Sequence, residues 1–127
     1  MKKSGKIIVD GNDGTGKSTL VASLIALGYE VQDRGTATKM TDDPTLSAPE
    51  NEFHIILDAP VEVCRERLAK AGRDLSEKYH TVEDLAHYRQ RFLEVARLLP
   101  HCEVIDATGT ADEVLAHALD ALTRHGY

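Results

Sequence analysis

The apolar residues of this 127-residue chain alternate between short runs and helical stripes. Residues 6–10 read Lys-Ile-Ile-Val-Asp and end at a glycine-rich turn, which fits a central parallel strand buried on both faces. Residues 18–27 are apolar nearly all round and predict a mostly buried helix, with Gly28 as its stop. Residues 29–33 alternate and suit a shorter, more exposed strand. Residues 53–58, Phe-His-Ile-Ile-Leu-Asp, are the clearest strand after the first. Val61, Cys64 and Leu68 then share one helical face, with a Glu66–Lys70 pair outside it. Thr81 can cap the next helix, down which Val82, Leu85, Tyr88, Phe92, Val95 and Leu99 form one stripe before Pro100. Residues 102–106 make a fourth strand. Thr110-Ala111-Asp112-Glu113 is a capping box, and Leu115, Ala118, Leu119 and Leu122 give the last helix its packing face.

Two segments break these patterns. Residues 35–52 carry four Thr, Pro44 and Pro49, with little apolar beyond Met40 and Leu46. So long a connection is expected to be a substrate-closing loop or to lack order. Residues 74–80 are polar and expected to be mobile, as a lid over approximately 73–81. The order strand-helix-strand-loop-strand-helix-lid-helix-strand-helix predicts an α/β chain built from right-handed crossovers, one domain spanning 1–127.

Composition narrows the picture. Fifteen Lys+Arg against twenty-one Asp+Glu give a net charge of -6. This disfavours extended nucleic acid and anionic membranes as partners while allowing a local basic pocket. No apolar run is long enough to span a bilayer. The basic start followed by only Ile7-Ile8-Val9 is too short for a signal-peptide core, so a cytoplasmic protein is expected. Cys64 and Cys102 sit in apolar segments and read as small buried hydrophobes. The histidines at 54, 80, 87, 101, 117 and 125 show no ligand spacing and read as ordinary surface or strand residues.

The decisive segment is Gly11-Asn12-Asp13-Gly14-Thr15-Gly16-Lys17-Ser18, which matches G-x-x-x-x-G-K-[ST]. A polyphosphate needs several donors at short range. Glycines let successive backbone N–H groups turn inward, and the helix opening at Ser18 aims its unpaired N–H groups at the same oxygens. Asn12, Asp13, Gly14, Thr15, Gly16, Lys17, Ser18 and Thr19 are therefore the candidate ATP-binding residues. Lys17 supplies charge at the β/γ bridge, and the Ser18 hydroxyl is the expected Mg²⁺ ligand. The motif follows a buried strand and opens an apolar helix, the context that gives it meaning.

Residues 10–20 resemble the P-loop of thymidylate kinases and related deoxynucleoside kinases. Residues 56–63, Ile-Leu-Asp-Ala-Pro-Val-Glu-Val, resemble their strand-Asp-x-Pro-x-Glu step, and Arg67-Leu68 through Arg73 their approach to the lid. Residues 104–107 with Asp112-Glu113-Val114 resemble their last strand and helix. The resemblance implies a three-layer P-loop NTPase fold, nucleoside monophosphate kinase-like. Its mainly parallel four-stranded sheet would have the first strand central, the strands near Val31 and Phe53 beside it, and Val104 at an edge. It implies an ATP- and Mg²⁺-dependent phosphotransferase acting on a small acceptor, a (deoxy)nucleoside monophosphate first. It also implies that Arg67 lies against adenine and Arg73 reaches phosphate. One departure is large. Val31-Gln32-Asp33-Arg34 follows directly on the first helix, so the module that grips the acceptor in that family is missing. Kinases of another small metabolite or of a nucleic-acid end, or a nucleotide-binding module without kinase activity, are the alternatives.

Asp33-Arg34 resembles that family's catalytic Asp-Arg pair. It ends a strand beside the P-loop, where open α/β sheets carry their sites. Its acid can take a hydroxyl proton or hold Mg²⁺, and its arginine suits the transferring phosphoryl oxygens, as does Arg73. Asp58 ends another strand and either holds Mg²⁺ through water or caps the turn at Ala59-Pro60. Arg65 and Lys70 read as solvated partners of Glu62 and Glu66. Arg89 is a weaker candidate, as is Arg91, which could enter from the lid's far end. Tyr79 could stack on a base or simply pack. Residues 107–110 are small enough to line an adenine pocket. The oligomeric state is open, a homodimer being compatible.

Overall fold

The computed structural model describes residues 5–127; the start of the chain, used above against a signal peptide, lies outside the described residues. The elements are β1 (Lys6–Gly11), α1 (Lys17–Ala26), β2 (Val31–Asp33), α2 (Thr36–Met40), β3 (Glu52–Asp58), α3 (Val61–Lys70), α4 (Val82–Ala96), β4 (Cys102–Asp106) and α5 (Ala111–Arg124). The sheet order is β2-β1-β3-β4. All three pairings are parallel, with Ile7 opposite Val31 and Phe53, and Leu57 opposite Ile105.

The strand period of two sorts the side chains onto two faces. Ile7, Val9, Phe53, Ile55 and Leu57 meet Leu20 and Leu24 of α1 and Ala118 and Leu122 of α5 in one core. Ile56 meets Ala37, Met40, Phe92, Val95 and Leu99 in the other. Full burial of a residue such as Phe53 contributes about 1.5–3 kcal/mol. Helices on both faces force the strands to be largely apolar, which is why β1 and β3 read as near-continuous runs. Thr81 caps α4 by accepting the Asp84 N–H, and the capping box of α5 forms as expected from Thr110 and Glu113.

Four expectations change. Residues 18–27 are not a mostly buried helix. Only Lys17, Leu20 and Leu24 of α1 are buried, and Ile25 and Leu27 are more than half exposed. α1 packs on β1, the three-residue β2 and α5, so only one stripe of it reaches a partner. Residues 35–52 are not structureless. Ala37 and Met40, three apart, seat the short α2 beneath α4. Residues 74–80 are held by named contacts, described below. On α4, Val82 leaves the apolar stripe and is half exposed.

Candidate active site

The P-loop begins where β1 ends. Lys17 is buried, and its Nζ donates to the carbonyls of Gly11 and Asn12, each at 2.8 Å, with Asp13 Oδ1 at 3.7 Å. Burial pushes the Lys17 ammonium below the ordinary lysine value, and the Asp13 charge opposes this. The Thr15 hydroxyl donates to the Asn12 carbonyl at 2.6 Å, and the Asn12 amide donates to the Leu85 carbonyl at 2.8 Å, tying the loop to α4. Two glycines have distinct reasons. A Cβ on Gly14, at φ +86°, would meet the Cys64 carbonyl oxygen at 2.6 Å; one on Gly16, at φ +92°, would enter open space.

Beside the loop lies a cleft of about 390 Å³ into which Lys17, Ser18, Thr19, Asp33, Arg34 and Arg73 face. The structure thus brings most of the expected site residues to one place. A neighbouring cavity of about 320 Å³ is bounded by Thr15, Gly16, Thr19, Arg67, Gly109 and Val114. Arg67 spans its rim, donating to the Gly14 carbonyl at 3.4 Å and the Gly109 carbonyl at 3.1 Å. The small residues of the β4–α5 loop therefore line a pocket next to the phosphate cleft.

On the other side of the P-loop is a smaller cavity, about 140 Å³, bounded by Asp13, Arg34, Thr38, Asp42, Tyr79 and Tyr88 among others. Asp13 and Arg34 line both this cavity and the phosphate cleft, and they pair with each other at the junction. Arg34 holds a left-handed backbone, φ 60°, which turns the chain from β2 toward α2.

Asp58 is not among the residues lining the cleft. Arg89 grips both its oxygens, at 2.8 and 3.1 Å, in the bidentate geometry guanidinium favours, bracing β3 to α4. Ser18 and Asp33 supply oxygen donors to one cleft, which suits a hard cation that keeps several waters. Among the described residues no group of three or more His, Cys, Asp and Glu is arranged to hold a metal by protein ligands alone.

Several residues carry more than their sequence context suggested. His80 is buried: Nε2 lies 3.1 Å from Asp13 Oδ2 and Nδ1 3.0 Å from the Asp74 carbonyl. Arg65, expected to be solvated, donates to the carbonyls of Leu75 and His80 at 3.2 and 2.9 Å. Arg91 holds the Thr41 carbonyl at 3.0 Å instead of entering the cleft. Tyr88 donates to Asp42 at 2.8 Å, and that bond, ahead of burial and nearby charge, pushes its phenol up to about 12.

Behind the loop, Asp10 is fully buried and its Oδ1 accepts from the Gly35 N–H at 3.0 Å and from the Thr38 hydroxyl. His54 stands 3.7 Å from Asp10 and 3.4 Å from Glu52, and neither spacing is a hydrogen bond. Burial pushes the Asp10 carboxyl up, but His54, Thr38 and Gly35 together hold it below the ordinary carboxylate range. No local motif announces these partners. A polar residue on a strand whose neighbours are all apolar is the one sequence signal they offer.

No family model matches the chain. The crystal structure of a gluconokinase from Sinorhizobium meliloti 1021 superposes with a TM-score of 0.65 over 99% of this chain and 95% of that one, at 18% identity. The chain has a P-loop NTPase-like α/β fold. The four strands are all parallel, Lys17 opens α1 after the loop that follows β1, and Asp33 ends β2. The "Bifunctional cordycepin biosynthesis cluster protein 3" of Cordyceps militaris is 32% identical over 114 residues, a match taking in 68% of this chain. The chain spans only 13% of that relative's length. Neither likeness extends specifically to thymidylate kinases. Among the described residues no helix is long and apolar enough to cross a membrane.

Proposed function

We propose that the chain transfers the γ-phosphoryl group of ATP to a small hydroxyl or phosphate acceptor. The observation that carries this reading is the junction at Asp13 and Arg34, where a lysine-bearing phosphate cleft meets a separate, smaller cavity. Adenine would lie beside Arg67 and the β4–α5 loop, and the triphosphate along the α1 N-terminus. Mg²⁺ would be held by the Ser18 hydroxyl and phosphate oxygens, and when bound supplies positive charge to them. Lys17 exchanges its two carbonyl partners for β/γ-oxygens. Arg34 and Arg73 offset charge on the moving group, and Asp33 takes the acceptor's proton. The thymidylate-kinase-like motifs favour a nucleoside monophosphate acceptor, whereas the size of the second cavity favours something smaller.

The test pairs calorimetry with turnover. ATP with Mg²⁺ should bind wild type, and Lys17→Ala should lose several kcal/mol of transition-state stabilisation, about 10²–10³-fold in rate. Retained turnover in that variant removes the mechanism. ATP binding without transfer to any nucleoside, nucleotide or small alcohol would favour the alternative of a nucleotide-binding module.

A further inference from the structure

From the cavity beyond the Asp13–Arg34 junction, and resting on the phosphotransferase reading above, we infer that the acceptor is a small, uncharged polyhydroxylated molecule of sugar or polyol size. It is not a nucleoside monophosphate.

Size is the first argument. Pockets that take ligands of about nucleotide size run from roughly 300 Å³ upward. The cavity here is about 140 Å³, and Thr38 of α2 and Tyr79 of the lid form part of its wall. α2 does not stand loose over it. Asp10 anchors the helix through Gly35 and Thr38, and Arg91 holds the Thr41 carbonyl. Enlarging the cavity means breaking these contacts.

Charge is the second. An acceptor that already bears a phosphate needs a cation for it. The cavity wall carries one, Arg34, and Asp13 already pairs with it. Against it stand two carboxylates, Asp13 and Asp42, so the wall is net negative. A dianionic phosphate there meets like charge. Hydroxyl groups meet acceptors, since the Asp42 carboxylate keeps lone pairs beyond the one taken by Tyr88.

The third is the apolar wall. Tyr79 and Tyr88 lie 5.4 Å apart between ring centroids, and Phe92 completes that side. Flat rings next to carboxylates match a molecule with C–H faces and hydroxyl edges. The backbone points to the same spot. Arg34 and Tyr79 are the two non-glycine residues with positive φ among the described residues, at 60° and 73°, and both line this cavity. Such strain persists where a site over-determines it.

In the step itself, the acceptor's hydroxyl oxygen forms a bond to the γ-phosphorus of ATP. The bond from that phosphorus to the β–γ bridging oxygen breaks, and ADP leaves with the electron pair. The hydroxyl proton goes to Asp33 and then to water.

The experiment measures ADP formation from ATP and Mg²⁺ with four panels: neutral aldoses and polyols, aldonic acids, nucleosides, and nucleoside 5'-monophosphates. Neutral sugars or polyols should give at least tenfold higher kcat/KM than any monophosphate. Asp42→Asn and Tyr79→Gly should each raise the KM for that acceptor about tenfold while the calorimetric Kd for ATP stays within twofold. Glycine at 79 relieves the positive φ but gives up the ring contact with Tyr88, so a cooperative melt together with the unchanged Kd for ATP shows that the variant is folded. Preference for a monophosphate or an aldonate, or no stimulation by any neutral compound while ATP binds, overturns the inference and leaves the donor reading standing. Absence of ATP binding overturns both.

Discussion

His80 Nε2 stands 3.1 Å from Asp13 Oδ2, and this contact fastens the last residue of the 74–80 segment to the phosphate loop. The other ring nitrogen faces the Asp74 carbonyl at 3.0 Å, an acceptor only. The pair is a latch whose histidine side is almost fully covered.

A double-mutant cycle should detect this latch. His80→Ala and Asp13→Asn are each expected to destabilise by about 1–3 kcal/mol, because each removes or weakens a contact made by a covered imidazole. Their coupling should be at least 0.5 kcal/mol, roughly the threshold for residues in direct contact. Urea denaturation measures all four corners. Additive effects would mean that the contact contributes nothing beyond packing.

Asp10 predicts an acid limb in stability. Its carboxyl is depressed in the fold, so the unfolded chain binds a proton more readily there. The stabilisation is therefore fully present above the unfolded value of about 3.9 and is lost as pH falls through the folded one. Wild-type Tm should drop steeply below about pH 4, and Asp10→Asn should flatten that drop while lowering Tm at pH 7. Parallel curves for the two proteins would remove Asp10 as a cause.

The sheet was readable from residues because a strand covered on both faces must be largely apolar, and β1 and β3 are, apart from the buried Asp10 and His54. The cradle was readable because Gly14, Gly16 and Lys17 are fixed by local geometry. What stayed hidden depended on pairs far apart in sequence. Nothing near His80 names Asp13, 67 positions away, and nothing near Asp58 names Arg89. The α1 pattern misled for the opposite reason. Its residues are apolar all round, but the sheet beneath is too narrow to cover more than the Leu20–Leu24 stripe. The α2 helix escaped because two apolar residues among threonines make a weak signal.

The two cysteines should be slow to alkylate. Burial, ahead of nearby charge, pushes the Cys102 thiol up to about 12, and burial raises Cys64 as well. Little thiolate exists at pH 8 in either case. A maleimide or disulfide reagent should modify native protein far more slowly than urea-unfolded protein. Rapid labelling of the native chain would show that the core around α3 and β4 opens.

Alanine at two glycines of the cradle should separate structure from ligand binding. Gly14→Ala drives a Cβ into the Cys64 backbone and should lower Tm by several degrees with or without nucleotide. Gly16→Ala meets nothing in the fold, so its folding cost is limited to the left-handed backbone, about 1–2 kcal/mol. Its Cβ would enter the phosphate cleft, so ATP affinity should fall more than stability does. Equal losses of both quantities in both variants would contradict this division.

Lys17 should show opposite pH trends in folding and in binding. Its ammonium loses its proton more readily in the folded chain than an ordinary lysine, whose value is about 10.4. Between the folded and unfolded values, the unfolded chain binds more protons at this site, so the site's contribution to stability rises with pH. Phosphate binding needs the charge, so ATP affinity should fall over the same interval. Lys17→Met isolates both effects, since it lacks the titrating group. Wild-type stability relative to this variant should improve from neutral toward alkaline pH, while the wild-type Kd for ATP climbs. If affinity instead held constant up to the range of a solvated lysine, the covered ammonium would not be the group that meets phosphate, and Arg34 or Arg73 would have to carry that charge.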